Sequence, residues 1–226
     1  MLVYRYLNEA FALEALQKRE LKVGRLGELN DPADCVPTLT GAPEQPNEEA
    51  TAAFERSYLS EIYRDIGIVC FSATISDPVI WSHYADSHRG IAIGYEFHES
   101  GARLFDVVYQ EERATLNYGE AELLRREKDP RAFIEKVIRY GFTRKAVSWS
   151  YEMEYRLFLN LYHCTMRGPH YFIKGMGPKK VVLGVNCRVT ESDVIRMTRD
   201  GSLMGGITRA RMDRQRYSLS VRFEGH

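Results

Sequence analysis

Two glutamates one residue apart, Glu152 and Glu154, are the pair in this sequence best suited to chemistry. On a strand, alternate side chains share a face, so the two carboxylates stand about 7 Å apart. At that distance one can bind a sugar hydroxyl while the other stabilises positive charge or takes a proton. The same alternation sets Arg156 beside them. Spacing alone favours a solvated strand face on which Arg156 pairs with Glu154, because charged exposed faces are common.

Ser72, followed by Ala73 and Thr74, places small hydroxyls at the end of an apolar run. Such strand ends line crevices, where hydroxyls hold a ribose or phosphate or order the turn. Trp81-Ser82-His83-Tyr84 concentrates three rings on one helical turn, so they cannot all face inward, and His83 or Tyr84 is expected at a surface or cleft. Ser72 is not part of a Gly-x-Ser-x-Gly elbow. Walker and Gly-x-Gly-x-x-Gly loops do not occur, so a bound nicotinamide dinucleotide would not rest on a Rossmann site. His83 and His88 lack partners at zinc spacing, and nothing local organises Asp31, Asp34, Glu152 and Glu154 around magnesium, so no metal is expected.

The elements that must position these groups alternate without a strict βαβ rhythm. Strands are expected at Leu2 to Tyr6, with Arg5 and Tyr4 on opposite faces, at Leu21 to Gly24 and at Ile66 to Ser72. The last is continuously apolar and therefore central. Further strands are expected at Ile91 to Phe97, Leu104 to Tyr109, Glu152 to Leu159, His170 to Lys174, Lys179 to Val185 and Tyr217 to Phe223. Asn8 caps a helix from Glu9 to Lys18, and Asp77-Pro78 opens the short helix that carries Trp81. Other helices are read at Glu48 to Arg64, Gly119 to Lys128, Pro130 to Ala146 and, begun by Thr190 with Ser192-Asp193, a short one before a turn at Gly201 to Gly206. Asn30-Asp31-Pro32-Ala33-Asp34 is dense in turn formers and reads as a rigid loop. The pattern implies an α+β fold, a mixed central sheet with flanking helices.

The whole chain sets the bounds. Its 226 residues fit one domain, 1–226, with a surface excursion near 36–50. Apolar residues at 44% and charged residues at 27% are ordinary for a globular protein. Thirty-one basic residues balance thirty-one acidic ones, so no overall field steers the molecule onto nucleic acid or membrane, and only a local basic patch would do so. The longest apolar runs are strand-sized, Met1 to Arg5 lacks a signal-peptide layout, and four scattered cysteines suit free thiols. A cytoplasmic protein that does not enter the membrane is expected.

Tyr4-Arg5-Tyr6, Asn30-Asp31-Pro32 with Asp34, Cys70-Phe71-Ser72, Trp81-Ser82-His83-Tyr84-Ala85-Asp86 leading to Gly90, and Trp149 followed by Glu152 and Glu154-Tyr155-Arg156 resemble the bacterial domain-of-unknown-function family 2971. The ordered trio of a first-strand arginine, a middle-strand serine and a late Glu-x-Glu also resembles ADP-ribosyltransferases of the Arg–Ser–Glu type. That resemblance implies an ADP-ribosyltransferase-like fold and an NAD-consuming enzyme, with NAD as substrate. It would modify a protein or nucleic-acid acceptor or hydrolyse NAD, as a toxin or a phage-defence effector. It further implies Glu154 as catalytic residue and Glu152 as the group that addresses the acceptor. Arg5 would hold the pyrophosphate and Ser72 would brace the site, with Tyr4, Trp81, His83 and Tyr84 around the dinucleotide. Ser72-Ala73-Thr74 replaces the family's Ser-Thr-Ser. The competing expectation is a non-catalytic nucleotide or nucleic-acid binding module built on Asn30, Asp31, Trp81, Tyr84 and Arg156.

Overall fold

The chain enters the sheet at β1 (Leu2–Leu7), turns through α1 (Glu9–Lys18) and returns as β2 (Glu20–Arg25). The Asn8 side chain accepts the Phe11 N–H at 2.8 Å, which fixes where α1 begins. These coordinates form a computed structural model that describes residues 1–98, 101–126, 130–174, 177–198, 203 and 206–223.

After α2 (Glu48–Tyr63), capped by Asn47, comes β3 (Ile66–Ser72), the strand around which the sheet is built. Short α3 (Pro78–Tyr84) leads to β4 (Ile91–Glu96), and Asp77 accepts N–H groups from Val79 and Ile80 at its start. Between α3 and β4, Asp86, Ser87 and His88 all lie in the left-handed region, at φ 47°, 53° and 67°. Gly90 follows because a Cβ there would run into the Leu7 carbonyl oxygen.

The remaining strands of the main sheet are β5 (Phe105–Asp106), β6 (Glu154–Asn160), β7 (Thr165–Arg167), β8 (His170–Lys174), β9 (Lys180–Leu183) and β10 (Ile207–Arg209). Its order is β7-β8-β2-β3-β1-β4-β9-β10, and β6 lies against β3 and β5. All pairs are antiparallel except β9 with β10, so the sheet is mixed and the protein is α+β. On one edge β6 pairs with β3 over its whole length. On the other edge two strands share β3: β2 meets Gly67 and Ile68, while β1 meets Ser72. The sheet therefore splits between β1 and β2.

Three cores surround this sheet. One lies under α1 and α4 (Glu191–Thr198) and includes Val69 and Phe71, a second packs α2 against Ile68, and a third joins Tyr4, Tyr6 and Trp81. Thr190 and Asp193 cap each other at the start of α4. No helix among the described residues is long and apolar enough to cross a membrane.

Four expected elements differ from those observed. Leu104 to Tyr109 is not one strand: β5 joins the main sheet, and Val108–Gln110 pairs in parallel with Arg144–Ala146. That second pairing also ends the helical segment early, at Gly141, with a π-helical stretch Ile134–Ile138 before it. Strand β6 begins at Glu154 rather than Glu152, because Val147–Glu152 is a 3₁₀ turn closed by Met153 in the left-handed region at φ 45°. In the expected strand Tyr217 to Phe223 only Leu219–Ser220 is paired, with Arg211–Met212. Within 36–50, Thr38–Thr40 forms a strand against Thr115–Asn117 and Leu39 is buried in the second core. The expected end of a helix at Lys128 and most of the turn from Gly201 to Gly206 lie outside the described residues.

Candidate active site

The register of β1, β3 and β6 sets Tyr4, Ser72 and Glu154 in one row across the sheet, on one face. Beside the split, this face lines a cavity of about 270 Å³ that also receives Arg5, Asn30, Asp34, Tyr84, Lys145 and Glu152. The second row of the same face pairs Arg156 with Cys70.

Glu152 and Glu154 arrive by different backbones and still converge. Glu154 projects from the first residue of β6, and Glu152 from the end of the 3₁₀ turn. Between them lies the Lys145 ammonium, 2.5 Å from Glu152 Oε2, 3.0 Å from Glu154 Oε2 and 3.6 Å from Asp34 Oδ2. It also stands 4.9 Å from the centre of the Trp149 ring. Arg156 closes the far side. Its guanidinium donates to Glu154 at 2.8 and 3.0 Å, to Asp34 at 2.9 and 2.7 Å, and to the Phe142 carbonyl at 2.7 Å. Arg156 is 0% exposed and both glutamates 5%, so the charged face of this strand is buried, not solvated. An isolated buried charge is costly, and this set persists because each member is paired and hydrogen-bonded.

Ser72 ties the cavity wall together. Its hydroxyl donates to the Glu152 carbonyl at 2.6 Å and accepts the Thr74 N–H at 3.1 Å, while the Ala73 N–H donates to the Met153 carbonyl. The end of β3 thereby holds the turn that carries both glutamates. Tyr84 donates to Glu152 Oε1 at 2.6 Å and accepts from Asn30 at 3.0 Å, and the Glu154 N–H donates to the Tyr109 hydroxyl.

The other expected residues are placed differently. Arg5 adjoins Tyr4 on β1, so its side chain leaves from the opposite face. It stands at the split and lines both the cavity and a second groove beside α1. Its Nη1 is buried without a hydrogen-bond partner, and burial lowers its pKa. Trp81 is 0% exposed; its indole donates to the Ile75 carbonyl and meets Tyr6 edge-on, so it is part of the core and not a ligand wall. His83 is exposed outside the cavity, with its Nδ1 3.2 Å from the Tyr151 hydroxyl, in a ring cluster with Tyr84, Trp149 and Tyr151. Lys145 is the central residue that sequence reasoning missed. The expected helix from Pro130 to Ala146 would have placed it on a helical face.

Asp34, Glu152 and Glu154 face Lys145 and Arg156, three carboxylates to two cations, and the Arg5 guanidinium stands at the same cavity. Burial disfavours the Glu154 carboxylate, but Arg156 and Lys145 outweigh it and hold its pKa at about 2. Burial raises the pKa of Glu152 against the opposing pull of Lys145. Burial opposes the Lys145 ammonium too, yet the two glutamates raise its pKa. The ammonium lies where a divalent ion shared by Asp34, Glu152 and Glu154 would sit.

A pH dependence follows. A carboxylate held below its ordinary value of 4.5 contributes stability that is fully present above about pH 4.5 and is lost as pH falls towards about 2. Glu152 acts with the opposite sign, since the folded state holds its proton more tightly. The midpoint of urea unfolding is expected to fall from pH 4.5 to pH 2, and Glu154→Gln is expected to flatten that fall.

Fold and site define an α+β protein with a cavity lined by buried carboxylates where a mixed sheet divides. Residues 80–157 match the model of a family described as "Protein of unknown function (DUF2971)". The match takes in Tyr84, Lys145, Glu152, Glu154 and Arg156, while Tyr4, Arg5 and Ser72 precede it. No curated protein and no solved structure matches the chain.

Proposed function

We propose that the protein is an NAD-consuming enzyme of the ADP-ribosyltransferase type, which transfers ADP-ribose to a macromolecule or to water. The observation that carries this is a buried, ionised carboxylate, Glu154, held at the wall of a cavity by partners anchored in the fold. Breaking the nicotinamide glycosidic bond sends its electron pair to the pyridinium nitrogen and builds positive charge on the ribose carbon. A fixed, desolvated carboxylate stabilises that charge. The acceptor oxygen or nitrogen then bonds to the same carbon, and its proton passes to Glu152, whose raised pKa suits a proton acceptor.

At about 270 Å³ the cavity lies at the small end of ligand pockets, roughly 300–1,000 Å³. It suits the nicotinamide ribose, with the remainder of NAD lying along the split towards Arg5. The guanidinium there has an unpartnered buried nitrogen of the kind a phosphate oxygen satisfies. The test is incubation with NAD, with nicotinamide measured by chromatography. Nicotinamide is expected to appear in step with free or attached ADP-ribose. Intact NAD across protein, RNA and DNA acceptors, with no binding heat, would sink the proposal.

One observation favours a second reading. Both oxygens of Glu154 are already engaged by Arg156 and Lys145, as they would be in a structural carboxylate. In a non-catalytic module, Asn30 and Tyr84 would recognise a nucleotide that is bound and left unchanged.

A further inference from the structure

From Arg209 to Arg222 the chain carries five arginines and a single acid, Asp213, in a protein whose total charge is balanced. Arg209 is spent on structure, donating to the carbonyls of Gly184, Cys187 and Val189. The other four, Arg211, Arg214, Arg216 and Arg222, are exposed and make no ion pair among the described residues. Asp213 forms no ion pair with them at contact distance among the described residues; its Oδ1 accepts the N–H groups of Gln215 and Arg216, and these bonds, with Arg216 and Arg222 nearby, lower its pKa.

The arginines are presented on a fixed frame. Arg211–Met212 pairs with Leu219–Ser220 as a hairpin, Leu219 is buried beside Trp81 and Ala210, and its N–H donates to the Ser76 carbonyl. At the hairpin tip Tyr217 is 100% exposed. Beside the hairpin lies an open groove of about 870 Å³ lined by Arg211, Arg214 and Arg222 with the hydroxyls of Thr208 and Ser220. Two acids, Glu191 and Asp213, share the lining with them.

We infer that this groove and hairpin bind single-stranded nucleic acid. Guanidinium groups without carboxylate partners suit phosphates, which they grip through paired N–H donors. A tyrosine ring with no protein surface against it offers a stacking face that an unpaired base can cover, and basic grooves with stacking aromatics are the common design for single strands. An acidic protein would use the arginines but leave Tyr217 without a role. The surface is independent of the chemistry in the cavity.

The test is fluorescence anisotropy of the full chain with labelled oligouridylate and oligothymidylate of about ten nucleotides, within the span of single-strand sites, and without NAD. Binding by the unchanged protein at low salt is expected. Arg211→Ala, Arg214→Ala and Arg222→Ala together should reduce the slope of log K against log salt by about two, roughly 0.7 per phosphate contact on a single strand. Tyr217→Ala should weaken binding by about 5- to 150-fold with the slope unchanged, the loss of one base stack, and Tyr217→Phe should restore it. All these side chains are exposed, so circular dichroism should not change. No binding at low salt, an unchanged slope in the triple variant, or equal competition by polyglutamate and by unlabelled oligonucleotide would each overturn the inference. Because NAD is absent, failure of the NAD chemistry leaves this result untouched, and the converse holds.

Discussion

Arg156→Ala is expected to cost about 3–5 kcal/mol of folding stability, the range for removing one partner from a buried ion pair. The side chain is 0% exposed and joins two carboxylates, a backbone carbonyl and the Cys35 sulfur. Without it, Asp34 keeps the more distant Lys145 as its charged partner, and Glu154 loses the larger of the two contacts that hold it ionised. Part of that cost is the penalty of leaving carboxylates buried and unpaired, so the effects should not add. Asp34→Asn alone leaves Arg156 with fewer acceptors, whereas in the Arg156→Ala background it removes a charge that has lost its partner. Urea unfolding of both single variants and the double variant should therefore show a double variant more stable than the sum of the single losses predicts. Strict additivity would mean that the two groups do not form one unit.

The second large effect is on turnover. Glu154→Gln removes the negative charge but leaves an oxygen able to accept from Arg156. The fold should therefore persist while nicotinamide release falls by about 100- to 1,000-fold, the scale seen when one electrostatic contact to a transition state is lost. Stability must be measured alongside, because the substitution also weakens the hold on Lys145. Glu152→Gln should give a different signature. Loss of the proton acceptor should slow transfer to an acceptor that must lose a proton, and should alter the pH dependence of the rate. A non-catalytic module has no turnover for either substitution to remove.

How much of this was legible in the sequence depends on whether the deciding contacts are local. Asn8, Asn47 and Asp77 cap helices through bonds two or three residues away, so those starts were readable or nearly so. The apolar run Ile66 to Ser72 marks a buried strand wherever it occurs, and its position at the centre of the sheet agrees with that. The site was legible in part. Ser72, Glu152 and Glu154 do meet Tyr4 and Tyr84 around one cavity, but not through the period-two face that was expected, because Met153 turns left-handed between the glutamates.

What was missed depends on long-range pairing. Whether the charged face at Arg156 is solvent or interior is decided by Asp34, 122 residues away, and alternation carries no trace of that partner. Lys145 enters the site because Arg144–Ala146 pairs with Val108–Gln110, a tertiary contact that overrides local helical preference. Trp81 and Tyr84 share a short helix, and their ring types do not say which one faces the core. Packing against Tyr6 buries Trp81, and the hydroxyl of Tyr84 finds Glu152.

The most direct measurement of the central claim is single-turnover release of nicotinamide from NAD by the unchanged protein and by Glu154→Gln, run side by side at a temperature where circular dichroism shows both folded. The account predicts release by the first and a rate lower by about two to three orders of magnitude in the second. Equal rates in the two proteins, or no release by either with protein and nucleic-acid acceptors present, would contradict it.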